Sequence, residues 1–364
     1  MFRARMKDMA NKTVMIMAGG TGGHIFPGLA VAGELSRRGW QVIWLGAAGG
    51  METRLVPQHG YAIETVKIAG MRGNGIKRWL SLPFMLTGAL CATTAVILRH
   101  RPNVAIGFGG YTGFPGGLMS RVLGRPLVVH EQNSVAGLTN RLMSRIASRT
   151  LFAFPGAFPG REGLVGNPVR PEIAAVAAPE QRFAGREGRL RLLVVGGSLG
   201  AKVFNERVPA ALARIAPDLR PLVVHQAGVK QIDALRENYA AAGVDADCRA
   251  FIDDMAAEYG RADLVICRAG ALTVAELAAV GVGSLLVPFP HAVDDHQTGN
   301  ARYLADAGAA KLIAQDAFEV EGLAQLILNL TRDECLQMAR SARSLAIIDA
   351  ASRVADVCES LTQY

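Results

Sequence analysis

The sequence has few of the residues on which several classes of protein depend. Its five cysteines, at positions 91, 248, 267, 335 and 358, are scattered and include no Cys-x-x-Cys pair. This pattern excludes a disulfide framework and a zinc ribbon, and it is typical of a reduced, cytosolic chain. Aromatic residues make up only 6% of the 364 residues. That is too few to predict the stacking surfaces with which proteins bind single-stranded nucleic acid.

Acidic residues are scarce in the amino-terminal half. Residues 1–170 contain 20 Lys and Arg against 6 Asp and Glu, a net charge of +14, whereas residues 171–364 contain 19 against 25, a net charge of −6. The basic half should attract an anion, which could be nucleic acid, acidic lipid or a phosphorylated substrate. Because aromatic residues are not interleaved with the cations, we predict that nucleic acid is not the partner.

Long apolar segments are also few. The run Val14–Ala18 ends in glycines and is too short for the core of a signal peptide. Residues 79–98 carry no charge and reach the length of a membrane span, but polar residues and a proline dilute them, which favours a buried helix. At the leading end of this run, apolar side chains stand among cations and predict either a patch on anionic lipid or a core-facing helix. The residues of this membrane patch are Ile76, Lys77, Arg78, Trp79, Leu80 and Phe84.

Glycine, in contrast, is abundant, and five glycines fall within residues 19–28. The segment "GGTGGH" follows an apolar run and precedes a helical pattern, which predicts a strand, a tight turn and a helix whose first N–H groups bind a phosphate. No lysine occurs between Lys12 and Lys67, so this is not the phosphate loop of nucleotide hydrolases. The next strand ends at Gly46-Ala47-Ala48 without a carboxylate, which disfavours a nicotinamide enzyme.

The same pattern recurs at residues 190–201, "LRLLVVGGSLGA". Continuously apolar, strand-like runs alternate with helical patterns throughout, as in parallel sheets that are covered on both faces. The fold class is therefore α/β, with two doubly wound domains joined by a linker in residues 164–188. Ligands bind such sheets at the carboxyl ends of the strands, so both glycine loops are expected to face one cleft.

Seven blocks, which include the two glycine turns, occur along the chain in the order "GGTGGHIFPGLAVAGEL", "HEQNSVAGLTN", "VGNPVR", "GGSLGA", "FIDDM", "RAGALTVAEL" and "DDHQTGNA". In their order and spacing they resemble the MurG family of bacterial N-acetylglucosaminyltransferases, from about residue 13 to the carboxyl terminus. The resemblance implies two Rossmann-like domains facing across a cleft, the glycosyltransferase B fold. Residues 1–12 would be an extension, residues 13–170 the acceptor and membrane-associating domain, and residues 171–345 the UDP-N-acetylglucosamine (UDP-GlcNAc) domain, with a final helix at about 346–364 packing back on the first.

For function, the resemblance implies transfer of N-acetylglucosamine from UDP-GlcNAc to the muramyl C4 hydroxyl of undecaprenyl-pyrophosphoryl-MurNAc-pentapeptide (lipid I). Inversion at the anomeric carbon would give lipid II for peptidoglycan and cell-wall synthesis. The implied location is peripheral, on the cytoplasmic face of the bacterial inner membrane, with its anionic surface and cell-wall synthesis proteins as partners. No cofactor and no protein-held metal are expected, since Asp245 and Asp247 are read as turn residues. The rivals are a diacylglycerol glycosyltransferase and a UDP-sugar epimerase of the same architecture.

Two side chains are candidates for the catalytic base that takes the proton of the acceptor hydroxyl. His24 suits this role near neutral pH, although it could instead brace the glycine turn. Glu131 is the alternative base, or else a structural carboxylate bonded to backbone N–H groups.

The resemblance further implies that Glu276 binds the ribose hydroxyls, whereas the residues alone favour a capping box formed by Thr273 and Glu276. Ser198 could cap a helix, Ile252 could be a core residue, and Gln297 could be an ordinary loop residue. Two departures from the family pattern are Gly113-Phe114, usually Ser-Gly, and Leu199, often glutamine. The full set of implied substrate-binding residues is Thr21, Gly22, Gly23, Asn133, Arg170, Ser198, Ile252, Ala271, Leu272, Thr273, Val274, Ala275, Glu276 and Gln297.

Overall fold

The structure, a computed structural model, describes residues 12–68, 76–197 and 199–362, with side chains except those of residues 76–82 and 293. The chain divides into two compact units. The first contains the residues up to Arg170 together with those from Ile348 onward, and the second is Pro171–Ile347.

The first unit is built on a parallel sheet whose strands follow the order β3-β2-β1-β4-β5-β6. Successive side chains of β1 alternate between two buried apolar layers, with Val14 and Ile16 on one face and Met15 and Met17 on the other. This two-sided burial explains why the strand is continuously apolar. The elements are β1 (Thr13–Met17), α1 (Gly22–Arg37), β2 (Gln41–Ala47), α2 (Glu52–Gln58), β3 (Ala62–Val66), α3 (Ile76–His100), β4 (Val104–Gly107), α4 (Gly113–Val122), β5 (Leu127–Glu131), α5 (Leu138–Met143) and β6 (Arg149–Phe152).

The second unit repeats this topology, with the order β12-β11-β10-β7-β8-β9. Its first two helices fall inside the predicted linker, yet Ile173 is fully buried and Phe183 nearly so, because they pack onto this unit. The elements are α6 (Pro171–Ala174), α7 (Pro179–Phe183), β7 (Arg191–Val195), α8 (Lys202–Ala213), β8 (Leu222–Gln226), α9 (Ile232–Ala242), β9 (Asp247–Arg249), α10 (Met255–Arg261), β10 (Leu264–Cys267), α11 (Ala271–Val280), β11 (Gly283–Leu286), a 3-10 turn (Val293–Asp295), α12 (His296–Ala305), β12 (Ala310–Leu312), α13 (Val320–Asn329) and α14 (Arg332–Ser344).

The last helix, α15 (Ala350–Ser360), returns to the first unit and packs on α1. Val354 and Cys358 are fully buried there. Arg38, at the carboxyl end of α1, donates to Asp356 at 2.6 Å and to Glu359 at 3.0 Å. An apolar contact ringed by ion pairs thus joins the two ends of the chain.

Helix α3 contains the uncharged run of residues 79–98, and it is buried on one face only. Thr93 and Ile97 are buried, and Ile97 belongs to the apolar layer of Met15 and Met17, whereas Phe84 is 81% exposed and Leu98 is 59% exposed. The expectation of a buried helix is therefore right for one face of α3 and wrong for the other. The uncharged run continues across the exposed face, so the lack of charge does not indicate burial there. Among the described residues, no helix is both long enough and apolar enough to cross a membrane.

Both sheets reverse their winding direction at their first strand, between β1 and β4 and between β7 and β10. In doubly wound sheets this reversal opens a crevice at the carboxyl ends of those strands, where ligands bind. The two glycine loops begin at these two points.

Candidate active site

The first glycine loop leaves β1 at Met17 and enters α1 at Gly22. Gly20 has φ +89°, which favours glycine. The loop after β4 presses against it so closely that a Cβ at Gly110 would lie 2.6 Å from the Gly19 carbonyl oxygen. Thr21 is the N-cap of α1, and its side chain makes no capping hydrogen bond. The first turn of α1 therefore presents backbone N–H groups and a positive dipole end to an anion, as the glycine pattern predicts.

His24 lies in that first turn and is half-buried. Its Nδ1 is 3.2 Å from the Gly19 carbonyl oxygen and 3.4 Å from the Thr21 hydroxyl. A carbonyl oxygen can only accept, so the contact assigns the ring proton to Nδ1 and leaves Nε2 as the basic nitrogen. Nε2 lies against the backbone of Gly109, where an added Cβ would be 3.2 Å away.

Glu131 ends β5 and is only 2% exposed. Its Oε1 accepts hydrogen bonds from the backbone and side-chain nitrogens of Asn133, at 2.9 and 3.2 Å. Its Oε2 accepts from the Gly137 N–H at 3.0 Å and from the Asn140 amide at 2.8 Å. Four donors, from the loop after β5 and from the first turn of α5, use both oxygens, and this favours the structural carboxylate of the two interpretations left open above.

His130 precedes Glu131 and is fully buried. Burial lowers the pKa of His130 to about 4, so the ring is neutral at pH 7. Its Nε2–H donates to the Gly166 carbonyl at 2.9 Å, while Nδ1 accepts from the Gln132 amide at 3.1 Å. The bond to Gly166 anchors the first residue of the "GNPVR" segment, which ends in the candidate residue Arg170, to the end of β5.

Sequence reasoning missed Glu52, the first residue of α2, which is fully buried. Its Oε2 accepts from the Gly20 N–H at 3.1 Å and its Oε1 from the Ala47 N–H at 2.8 Å. Three glycines leave room for it: a Cβ at Gly19 would overlap the carboxylate, one at Gly50 would lie 2.5 Å away, and one at Gly46 would lie 2.7 Å from Cγ. Glu52 lies four residues beyond Ala48, and the sequence pattern for a carboxylate at the end of β2 therefore does not include it.

In the second unit, the glycine loop after β7 packs backbone to backbone against the loop after β8. A Cβ at Gly200 would overlap the Ala227 carbonyl oxygen, and one at Gly228 would lie 2.5 Å from the Leu199 carbonyl oxygen. The Gln226 amide donates to the Gly197 carbonyl at 3.0 Å. Leu199 is 81% exposed, and Ser198 lies outside the described residues. The glycines therefore permit two loops to approach at one sheet edge.

Helix α11 carries the candidate residues Ala271–Ala275, and the predicted capping box is absent from it. The N-cap is Gly270, with no side-chain cap, so Thr273 lies inside the first turn and cannot cap the helix. A capping box exists instead at α14, where Thr331 and Glu334 bond each other's backbone N–H groups. The uncapped start of α11 at the end of β10 leaves its N–H groups available to a diphosphate.

The other donor candidates lie in α11 itself, in α12 and in the segment between β9 and α10. Glu276 is 5% exposed, and the Tyr259 hydroxyl donates to its Oε2 at 3.4 Å. Gln297, in the first turn of α12, accepts from the Phe289 N–H through Oε1 at 2.9 Å. Ile252 is 4% exposed, so only its backbone could read a base edge.

Two acidic segments also bear on the site. Asp294 and Asp295, just before Gln297, have φ values of +53° and +49°, a strained conformation for non-glycine residues that is often found at functional sites. The prediction that Asp245 and Asp247 are turn residues is wrong for Asp247, which is the first residue of β9 and accepts from Arg249 Nε at 3.0 Å. Among the described residues, no three ligating side chains are grouped so as to hold a metal ion.

Comparison with known proteins gives concordant matches over both units. Residues 14–152 match the glycosyltransferase family 28 N-terminal domain, and residues 191–360 match the C-terminal domain of that family. The UDP-N-acetylglucosamine–N-acetylmuramyl-(pentapeptide) pyrophosphoryl-undecaprenol N-acetylglucosamine transferase of Ralstonia nicotianae is 56% identical, with 98% of each chain covered. The protein of that name from Aromatoleum aromaticum is 59% identical, covering 96% of this chain and 98% of the relative.

Solved structures agree. The crystal structure of Acinetobacter baumannii MurG superposes with a TM-score of 0.86 at 43% identity, covering 96% of this chain and 99% of that one. A putative UDP-N-acetylglucosamine 2-epimerase from Listeria monocytogenes superposes with a TM-score of 0.62 at 17% identity, covering 98% of this chain and 97% of that one. The second likeness concerns the fold alone.

Proposed function

The chain belongs to glycosyltransferase family 28, and on that premise we infer that it transfers N-acetylglucosamine from UDP-GlcNAc to lipid I, giving lipid II for peptidoglycan synthesis. The observation that carries this function is the identity of 54–59% with transferases of that name over at least 95% of this chain. The fold is the glycosyltransferase B fold, with two Rossmann-like units.

The two units have different substrates. The first unit binds the acceptor, supported by the net charge of +14 in residues 1–170 and by the exposed amino-terminal end of α1. Thr21, Gly22, Gly23 and Asn133 supply substrate contacts there.

The second unit binds UDP-GlcNAc at the sheet edge where β7 and β10 end. The N–H groups of α11 bind the diphosphate, Glu276 binds the ribose hydroxyls, the Ile252 backbone binds uracil and Gln297 binds the sugar. This assignment is supported by the uncapped start of α11 and by the burial of the Glu276 carboxylate beside it. Arg170 and Ser198 complete the set of nucleotide contacts.

The reaction is a direct displacement with inversion. Nε2 of His24 takes the proton of the C4 hydroxyl as that oxygen attacks the anomeric carbon. The bond from this carbon to the UDP oxygen breaks, and UDP leaves with the electron pair, stabilised by the α11 N–H groups. Glu131 organises the loop that contains Asn133 rather than taking the proton, because its oxygens already accept four hydrogen bonds.

An acceptor-dependence assay tests the function. Purified protein is incubated with radiolabelled UDP-GlcNAc, with and without a short-chain lipid I analogue. Label should enter a disaccharide product only when the acceptor is present. Release of UDP or epimerised sugar at the same rate without acceptor would indicate the epimerase instead, and transfer to diacylglycerol would indicate the lipid glycosyltransferase.

We further propose that the first unit docks peripherally on an anionic membrane surface, at the cytoplasmic face of the inner membrane. Helices α3, α4 and α5 pack in sequence, and they expose Phe84, Val122 and Leu138 at 81%, 65% and 66%. Exposed Arg121 and Arg141 lie on the same helices. Exposed apolar side chains among cations suit an interfacial site. The side chains of Ile76, Lys77, Arg78, Trp79 and Leu80 lie outside the described residues.

Replacing Phe84 and Val122 together with serine should lower binding to anionic liposomes by about 100-fold or more, since each buried apolar side chain contributes roughly 1.5–3 kcal/mol and about 1.4 kcal/mol corresponds to tenfold in affinity. Sedimentation with phosphatidylglycerol liposomes measures the effect, and activity on a water-soluble acceptor should not change. The matched control replaces Leu219 and Leu328, two exposed leucines of the second unit, and should bind normally. Equal binding by both variants would contradict the docking proposal.

A further inference from the structure

One peptide group connects the side chains of Glu52 and His24, which lie far apart in the sequence. The N–H of the Gly19–Gly20 peptide is that of Gly20, and it donates to Glu52 Oε2 at 3.1 Å. The carbonyl of the same peptide is that of Gly19, and it accepts from His24 Nδ1 at 3.2 Å. The order is therefore carboxylate, peptide, imidazole, with a hydrogen bond at each junction.

We propose that Glu52 is a positioning residue that acts on His24 through the Gly19–Gly20 peptide, keeping the ring proton on Nδ1 and leaving Nε2 unprotonated, as a base must be. The inference rests on the proposed function, in which His24 accepts the acceptor proton. It assigns Glu52 a part in the chemistry that neither its burial nor its distance in sequence from the glycine loop indicates.

The physical basis is polarisation along a chain of hydrogen bonds. A carboxylate that accepts from a peptide N–H draws positive charge to that nitrogen and makes the carbonyl oxygen of the same peptide a stronger acceptor. Because Glu52 is fully buried, little solvent screens this effect. A stronger carbonyl acceptor favours the Nδ1–H tautomer and also favours the imidazolium that forms when Nε2 takes a proton, as the carboxylate does in carboxylate–histidine pairs.

The surroundings of Glu52 hold the carboxylate in place. Its second oxygen accepts from the Ala47 N–H at the end of β2, and Gly19, Gly46 and Gly50 leave space that any side chain would fill. A rigid carboxylate holds the Gly19–Gly20 peptide, and with it the Gly19 carbonyl, in one orientation toward His24, whereas a mobile carboxylate would not fix that orientation.

Other charged and titratable groups lie on the elements that pack around His24. Glu131, beyond Gly109 and Asn140, is occupied by its four donors. Tyr111 follows the Gly109–Gly110 turn and is 50% exposed. Thr21 offers Nδ1 a longer second contact at 3.4 Å. The Gly19 carbonyl of the peptide shared with Glu52, at 3.2 Å, is thus closer to Nδ1 than the Thr21 hydroxyl is.

The test uses the full-length protein labelled with ¹⁵N-histidine, comparing wild type with Glu52→Gln by NMR over pH 5–9. The His24 signal is identified by its loss in His24→Gln. In wild type, His24 should be the Nδ1–H tautomer. In Glu52→Gln, its titration midpoint should fall by about 0.5 to 1 pH unit, because a negative charge that favours the imidazolium is removed. The acidic limb of kcat/KM should move by the same amount.

Asp263→Asn is the matched control, since Asp263 is a fully buried carboxylate of the second unit that accepts from the Arg191 N–H at 2.9 Å. It should lower stability without moving the His24 midpoint. An unchanged midpoint and tautomer in Glu52→Gln would overturn the proposal. If that variant does not fold, an Nε2–H tautomer in the wild type would overturn it equally. A moved midpoint with an unmoved kcat/KM limb would support the coupling while contradicting His24 as the base.

Discussion

Replacing His24 with glutamine is expected to lower kcat for transfer by about 10²–10⁴-fold, the usual contribution of a general base. Glutamine keeps a hydrogen-bonding side chain of similar length next to Gly19 but cannot accept a proton. The KM for UDP-GlcNAc should change little, because we assign the donor to the second unit. Steady-state kinetics with a soluble lipid I analogue measures both constants.

The pH profile separates His24 from Glu131. If His24 is the base, His24→Gln removes the acidic limb of kcat/KM, whereas Glu131→Gln keeps that limb and mainly lowers stability. The Glu131 oxygens accept four hydrogen bonds from N–H donors. In Glu131→Gln an NH2 group would replace one oxygen, and it could not accept from the donors on that side. Near-normal kcat in His24→Gln, with loss of the limb in Glu131→Gln, would reverse the two assignments.

Replacing Glu276 with glutamine is expected to raise the KM for UDP-GlcNAc by about 10- to 100-fold. A carboxylate accepts from two ribose hydroxyls, and a hydrogen bond to a charged group contributes roughly 1.5–3 kcal/mol. Glu276 is 5% exposed, so water cannot substitute for the lost acceptor. Calorimetric titration with UDP should show the same loss, with kcat at saturating donor reduced much less.

A modified ligand makes this second prediction specific. Wild-type protein should bind 2′-deoxy-UDP more weakly than UDP. Glu276→Gln should lose most of that preference, because removing the ribose 2′-hydroxyl and removing the carboxylate abolish the same hydrogen bond. The matched control is Tyr259→Phe, which removes the 3.4 Å hydrogen bond to Glu276 but leaves the carboxylate in place. It should retain the preference. An unchanged preference in Glu276→Gln would show that this carboxylate does not contact the ribose.

Much of the fold could be predicted because its requirements are local. Strands such as β1, which are buried on both faces, need continuous apolar runs. The glycine turns need positive φ values that other residues avoid. Both requirements are therefore visible in short stretches of the sequence. The capping box at Thr273 failed although its spacing is correct. The reason is that the N-cap of α11 is Gly270, three residues before Thr273, whereas Thr331 is itself the N-cap of α14 and does form a box with Glu334.

The composition and order of the residues were sufficient to predict two doubly wound units, a glycine turn at the head of each, and the family to which the chain belongs. Only the tertiary structure decided which polar groups meet at those turns. The Glu131 carboxylate accepts its four hydrogen bonds from the following loop and the first turn of α5. Glu52, 28 residues after His24 in the sequence, bonds the peptide that His24 contacts. Hydrogen bonds act over about 3 Å, so partners brought together from separate loops leave no periodic signal in the chain.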